Sequence, residues 1–483
     1  MRRACAAPAV AALLLAACAS FPPNPPLTEY VPKAGYNLDN LALGRNNTDR
    51  LFVIVTLSGG GTRAAALAYG VLEELRATPI KGVAPGATLL DEVDVISSVS
   101  GGSFTAAYYA LHGDKLFTDF RDGFLYRPVQ SELLGQLLSP VSWPRLAGPS
   151  YGRSDLAAEF YDRELFHGAT YADLIKRGQR PLVVLNATDM TTGTPFPFLQ
   201  DQFDMMCSDL AGVPLARAVA ASSAFPGALT PLTFRNYAGS CHYRQPSWLQ
   251  LTEEDHKERI NARRRAMAEN RLSLAANAVP DGSSAGTAAM PVRPYIHLTD
   301  GGVADNIGLR GPLDALTTPN HPWSVVQRMN NGPMDTLVVI TVNAATGATD
   351  DRDKTASVPG IIDTVVTAAD VPLGNYSFDT VELMRKAADE SKRDAQLLEQ
   401  CNRKAAAKGP QCVLNLPGPR KVDFFPIHVS FEYIDSPTER AWFRRLPTTF
   451  KLPRETVDKL REVGRRLLRE DPQFQLLLTR LRG

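Results

Sequence analysis

The sequence predicts an α/β fold, in which helices cover both faces of a central, mostly parallel sheet and a helical C-terminal extension follows. Three observations lead there. Apolar, β-branched runs recur as continuous stretches rather than alternating ones, as strands buried on both faces require. The early runs break into small residues and are followed by helical spacing of apolar side chains. The composition, 44% hydrophobic and 21% charged over 483 residues, is that of a globular chain with enough core for one large domain or two modest ones.

The elements follow in order. Residues 1–17 carry Arg2 and Arg3 and then a short apolar run, Ala9 to Ala17. That run is shorter than the roughly 20 residues a membrane span needs, and it suits the apolar region of a secretory signal. It ends in Leu15-Ala16-Ala17-Cys18, a pattern similar to the bacterial lipobox, which predicts lipidation of Cys18; a cleaved, unlipidated signal is the alternative. Residues 18–50, with Phe21-Pro22-Pro23-Asn24-Pro25-Pro26, read as an anchor and stiff linker. A main domain is expected over 51–345. Leu51–Leu57 is a buried parallel strand, Arg63–Ala77 a helix, Val93–Val99 a second strand and Ser103–Leu111 a small-residue helix. Pro181–Thr188, Thr336–Val342 and Phe425–Phe431 are further strands. Residues 250–290 read as an inserted helix and loop. Residues 346–483 form the extension, packed on the same domain, with an amphipathic helix over 376–404 and a terminal helical cap over Pro453–Leu481.

Charge and cysteine content narrow the function classes. Lys and Arg total 52 against 51 Asp and Glu, so no basic excess points to nucleic acid. Beyond Cys5 and Cys18 the cysteines are Cys207, Cys241, Cys401 and Cys412. In an exported chain four cysteines allow three pairings, of which the sequence-local one is 207–241 with 401–412; free buried thiols are the alternative. No CxxC or paired-His spacing accompanies them, so no metal site is expected.

Three segments carry chemistry. Val95-Ile96-Ser97-Ser98-Val99-Ser100-Gly101-Gly102-Ser103 places Ser100 on a tight strand-to-helix turn, the layout of a nucleophile elbow with Ser98 where the first glycine usually stands. Leu57-Ser58-Gly59-Gly60-Gly61-Thr62-Arg63 puts three glycines after a buried strand and at a helix N-terminus, where unpaired N–H groups can hold an oxyanion or a phosphate, with Arg63 as a positive charge beside them. Gly59-x-Gly61-x-x-Ala64 also fits the dinucleotide fingerprint, but the acidic residue expected about 20 positions on is absent: Lys81 to Gly86 carries no carboxylate. A P-loop is excluded because no Gly-Lys-Ser/Thr follows. The third segment, Ile296-His297-Leu298-Thr299-Asp300-Gly301-Gly302, leaves a carboxylate at the end of a short strand, where it can serve a serine as base.

Together and in this order, the glycine-rich loop, serine elbow and Asp-Gly-Gly resemble the patatin-like phospholipase family over residues 50–345. Two weaker blocks, Asn186-Ala187-Thr188-Asp189 and Ala221-Ser222-Ser223-Ala224-Phe225-Pro226, resemble it as well. The resemblance implies a three-layer α/β domain and a serine acyl hydrolase with Ser100 as nucleophile, Asp300 as its base and no catalytic histidine. It further implies an oxyanion loop of Gly59, Gly60, Gly61 and Arg63 (with Gly101 from the elbow), no cofactor, and a lipid or ester substrate. A Ser-His-Asp triad would need a distant histidine such as His321 or His428, because His297 faces away from Asp300 in a strand and His112 points away from the elbow. A non-catalytic envelope lipid-binding protein of the same fold is the alternative. With Cys18 lipidated, the expected location is the bacterial cell envelope, on a membrane surface.

Overall fold

A computed structural model describes residues 20–482, apart from 45, 82–83, 246–261, 279–289, 318–323, 326–327, 330–331, 347–355, 357–360 and 408–421. The signal segment, Cys18, Cys412, His321 and most of the inserted loop therefore lie outside the described residues.

Eight strands form one sheet: β1 Leu51–Leu57, β2 Val93–Val99, β3 Leu182–Asp189, β4 Pro195–Pro197, β5 Leu232–Arg235, β6 Tyr295–Asp300, β7 Thr336–Asn343 and β8 Asp423–Ser430. Their hydrogen-bonded order is β8-β7-β1-β2-β3-β6-β5, with β4 on β3. The pairs from β8 to β3 are parallel, and β4, β5 and β6 join antiparallel. Every residue of β1, β2, β3 and β7 is buried, which is why these strands lack the apolar–polar alternation of a half-exposed sheet. Helices α1 Gly61–Ala77, α2 Gly101–His112, α3 Arg153–Tyr161 and α4 Leu215–Ser222 surround the sheet, as do α5 Ile361–Ala406, α6 Pro437–Arg444, α7 Arg454–Glu470 and α8 Pro472–Arg482. The mostly parallel α/β architecture expected from the sequence is the one observed.

The differences have local causes. The sequence shows helical periodicity from 376, but α5 begins at Ile361 and runs through Pro372 and Gly374, two residues that weaken a helical pattern. The expected terminal cap is two helices, because Asp471 ends α7 and caps α8. Its Oδ1 accepts the N–H groups of Gln473 (2.8 Å) and Phe474 (3.0 Å), with Pro472 in the first helical position. Of the 250–290 insertion, a helix over Ala262–Ala275 is described.

One correction concerns the N-terminal stretch. Residues 20–27 are not a spacer. Asn24 is buried, donating to Ser208 Oγ (2.7 Å) and accepting the Arg235 N–H (2.7 Å), while Pro25 O accepts the Asp209 N–H (3.0 Å) and Leu27 N–H reaches Cys207 O (2.7 Å). One asparagine among the prolines supplies the amide that fastens the stretch to the body. Cys207 and Cys241 form a disulfide, with Cα atoms 5.4 Å apart. Cys401 is an exposed free thiol on α5, and Cys412, its expected partner, lies outside the described residues.

Candidate active site

Ser100 sits between β2 and α2 at φ +48°, ψ −118°, a backbone conformation rarely open to residues other than glycine. Its N–H donates to Ser222 Oγ (2.9 Å), and Ser222 Oγ in turn donates to Asn186 O (2.6 Å). Ser103 Oγ lies 2.9 Å from Ser222 Oγ and 3.2 Å from Ser98 Oγ, so the turn rests on a buried chain of hydroxyls. Ser98 fills the position usually held by glycine by turning its side chain inward onto this chain and onto Val184 O (3.3 Å).

The register of β3 brings the serine and the aspartate together. Asn186 pairs with Val99 on one side and Pro197 on the other; Ala187 pairs with Phe196 and Asp300. Because β4 occupies one side of both residues, Val99 and Asp300 share the opposite side, opposite consecutive positions of β3. Thus β6 enters antiparallel on the edge that β2 vacates, and its last residue meets the elbow head-on. Gly301 sits where an added Cβ would collide with Asn186 O and lie 3.2 Å from Val99 Cγ1. Asp300 is buried. Its N–H donates to Ala224 O (3.1 Å), its Oδ1 accepts the Gly302 N–H (2.7 Å), and its carbonyl accepts from Thr188 Oγ1 (2.8 Å). Ser222 O accepts the Gly301 N–H (3.1 Å), so one residue braces both turns.

The glycine loop closes the third side. Gly60 and Gly61 have φ of +133° and +60°, backbone states that the branched β-carbon of other residues opposes. A Cβ on Gly101 would collide with Gly61 O, and one on Gly59 would lie 3.3 Å from Ser100 Cβ. Loop and elbow therefore touch through bare backbone. The Gly59 N–H is donated to Asn306 O (2.9 Å), which removes it from the N–H groups expected to face an oxyanion. Among the described residues no acceptor meets the N–H of Gly60, Gly61 or Gly101, and these groups lie at the N-termini of α1 and α2, where the helix dipoles favour negative charge.

Arg63 lies beside the loop, its Nη2 being 2.8 Å from the position of a Cβ on Gly60. Its guanidinium is nevertheless committed elsewhere, donating to Ala344 O (2.9 Å), Leu446 O (2.6 Å) and Thr448 Oγ1 (3.1 Å). It ties the loop to the C-terminal extension. Thr449 O accepts the Thr62 N–H (2.9 Å) from the same stretch.

Sequence reasoning gave no role to two side chains that shape the site. Ser222 lies in a block quoted only for resemblance. Asn306 was unmarked; its Oδ1 lies 2.5 Å from a Cβ position on Gly59 and 3.0 Å from one on Gly302, between the two glycine turns. The signal was its place one helical turn after Gly302. His297, His428 and His112 sit apart from Ser100 and Asp300. His297 is exposed on β6, its Nδ1 3.1 Å from Thr233 Oγ1. His428 is on β8, three strands from β2, where burial first and Arg385 second hold its pKa down at about 4. His112 ends α2. No group of His, Cys, Asp and Glu arranged to hold a metal ion occurs among the described residues.

No curated protein matches the chain. Among solved structures, human GIVD cytosolic phospholipase A2 is similar at 14% identity and a TM-score of 0.40, covering 90% of this chain and 62% of that one. VipD from Legionella pneumophila is similar at 11% identity and a TM-score of 0.26, covering 90% and 71%. The chain thus spans less than two thirds of the human protein's length. The family model described as patatin-like phospholipase matches residues 55–313, which include the glycine loop, the Ser100 elbow and Asp300. Over more than half its length, and across all three segments that build this site, the chain belongs to the patatin-like phospholipase family.

Proposed function

We propose that this protein is a serine acyl hydrolase that cleaves carboxylic esters of lipids through a Ser100–Asp300 dyad. The observation that carries the reading is the placement of Val99, the residue before Ser100, and of Asp300 against consecutive residues of β3, beside a loop whose Gly60 and Gly61 N–H groups are unspent. In the reaction Asp300 takes the Ser100 proton as Oγ attacks the ester carbonyl. The N–H groups of Gly60, Gly61 and Gly101 stabilise the tetrahedral oxyanion, each such donor being worth about 3–4 kcal/mol in well-studied hydrolases. The alcohol leaves with the proton, giving an acyl-enzyme. Water, deprotonated by the same carboxylate, then releases the fatty acid and restores Ser100. The main chain supplies the electrophilic stabilisation, and Arg63 holds the loop in shape.

The Leu15-Ala16-Ala17-Cys18 pattern supports a lipid anchor at Cys18 and a place on a membrane of the bacterial cell envelope, beside an insoluble substrate. The test of the catalytic reading is direct. A fluorophosphonate probe labels the parent protein on Ser100, and Ser100→Ala abolishes both labelling and turnover of a short p-nitrophenyl ester. Retention of turnover by folded Ser100→Ala overturns the assignment.

A further inference from the structure

We infer that the segment 129–147 is a membrane-docking surface that seats the mouth of the site on a phospholipid bilayer. The inference rests on the lipid-hydrolase reading and the Cys18 anchor, and three independent features of the structure lead to it.

The first is exposure. Within ten residues Leu134, Leu138, Val141 and Trp143 are 48, 70, 83 and 57% exposed. Other large apolar side chains on the surface, such as Val31, Phe378 and Leu397, are scattered along the chain, which is ordinary for a soluble surface. Four together are not: Leu134 and Trp143 lie on two short helices, Val129–Leu137 and Trp143–Leu146, and Leu138 and Val141 on the turn that joins them. The segment from 133 to 144 carries no charged residue, and it includes a tryptophan, the side chain that favours the boundary between headgroups and acyl chains.

The second is position. The segment starts at the glycine-loop flank of the site, where the Gln130 N–H donates to Phe450 O (3.2 Å) and Gln130 Oε1 accepts the Phe450 N–H (3.2 Å) and the Thr449 hydroxyl. Thr449 is the residue that holds the Gly61–Thr62 turn. The segment leads into residues bound at the opposite flank, where the Ser154 N–H donates to Thr230 Oγ1 (3.2 Å) and its hydroxyl to Thr230 O. Thr230 ends the turn that follows Ala224, whose carbonyl holds Asp300. The exposed stretch therefore spans from one rim of the site to the other.

The third is where the N-terminal chain arrives. Ser20 bridges to Ser150, and Arg145 stacks over the Tyr151 ring at 4.2 Å, which folds the Trp143–Leu146 helix back onto this point. From Ser20 onward the chain is hydrogen-bonded to the body through Asn24, Pro25 and Leu27. Cys18 is two residues from Ser20, a reach of at most about 7 Å. A lipid on Cys18 would bring the bilayer close to this face. Single acylation gives weak attachment, so an apolar patch beside the anchor supplies the second contact that stable seating needs.

The test uses the full chain with Cys18→Ala, so that binding reads the patch without the anchor. Vesicles of phosphatidylcholine with phosphatidylglycerol at four to one are mixed with this protein and sedimented. The expected result is binding that falls at least about tenfold when Leu138→Gln, Val141→Gln and Trp143→Gln are combined. Turnover of the soluble p-nitrophenyl ester stays within about twofold, and Phe378→Gln, an exposed residue elsewhere, leaves binding unchanged. Equal binding by the triple variant, equal loss with Phe378→Gln, or no binding by the Cys18→Ala protein overturns the docking surface. If the triple variant folds poorly, brominated lipids decide instead: they quench the parent's fluorescence more than that of Trp143→Phe, and equal quenching overturns the proposal. Sedimentation requires no catalysis, so failure of the hydrolase reading shows separately as absent turnover by a protein that still binds.

Discussion

At φ +48° and ψ −118° the Ser100 backbone stores strain, of order 1–3 kcal/mol for such a residue, and the Ser222 hydroxyl holds it there. Ser222→Ala leaves the Ser100 N–H and Asn186 O without their partner in a buried place, a loss of about 1–3 kcal/mol. We expect a melting temperature lower by several degrees and kcat reduced about tenfold or more with KM nearly unchanged; unaltered kcat would make Ser222 a purely structural brace. Gly101→Ala drives a methyl group into Gly61 O and should lower kcat about a hundredfold or more in ester assays, since it displaces the proposed oxyanion donors without touching the dyad. A third expectation concerns Glu92, at the far end of β2. Burial, opposed by the bond from the Thr48 N–H and reinforced by Asp94 and Asp91, raises its pKa from 4.5 to about 7. The native state then holds a proton that the unfolded chain has released, so this group's contribution is full below pH 4.5 and is lost as pH rises through about 7. Glu92→Gln should match the parent near pH 4 and exceed it above pH 7, by on the order of 3 kcal/mol in denaturant titrations. At this scale Ser100, Gly60, Gly61 and Asp300 were legible because each stands at a strand end among small residues. The bracing by Ser222 and the loss of the Gly59 N–H to Asn306 were not, because they depend on which strands lie side by side.

Among the elements, α1 and α7 cross in close contact through glycines. An added Cβ on Gly70 would collide with Arg461 O, and one on Gly464 would lie 2.7 Å from Leu67 O. The crossing is flanked by Arg461 donating to both oxygens of Glu73 (2.6 and 2.7 Å) and Arg465 to Glu74 (3.0 Å). Gly70→Ala forces the helices apart, and overpacking of this kind costs about 1–3 kcal/mol; the measurement is the midpoint of thermal unfolding. If Gly70→Ala melts with the parent, the helices are free to separate at no cost and the crossing is not the tight contact described. The buried parallel strands and the helices after β1 and β2 were legible because periodicity is a local property. Strands β4 and β5, three and four residues long, were not; they exist because β3 and β6 offer free edges there. The start of α5 was hidden because Pro372 and Gly374 interrupt the local helical pattern.

For the molecule as a whole, the fold class and the packing of the C-terminal extension on the same domain were readable in advance, while the attachment of the N-terminal stretch was not. Residues 20–27 looked like a spacer because proline content is local, whereas the Asn24 bonds that dock them involve Ser208 and Arg235. The disulfide between Cys207 and Cys241 sits beneath this docked segment and closes a separation of 34 residues, which by loop entropy contributes about 3–4 kcal/mol. Cys207→Ser with Cys241→Ser should lower the melting temperature and match the effect of reductant on the parent; a reductant effect in the double variant would point to another bond. One further consequence follows from the hold of Leu446, Thr448 and Thr449 on Arg63 and the Gly61–Thr62 turn. These residues leave the ribosome long after Ser100 and Asp300, so an incomplete chain carries both reactive side chains without the grip that sets the loop beside them. On the proposed hydrolase reading, competence to act on an ester arrives only with this late stretch of chain, after both side chains of the site have been made.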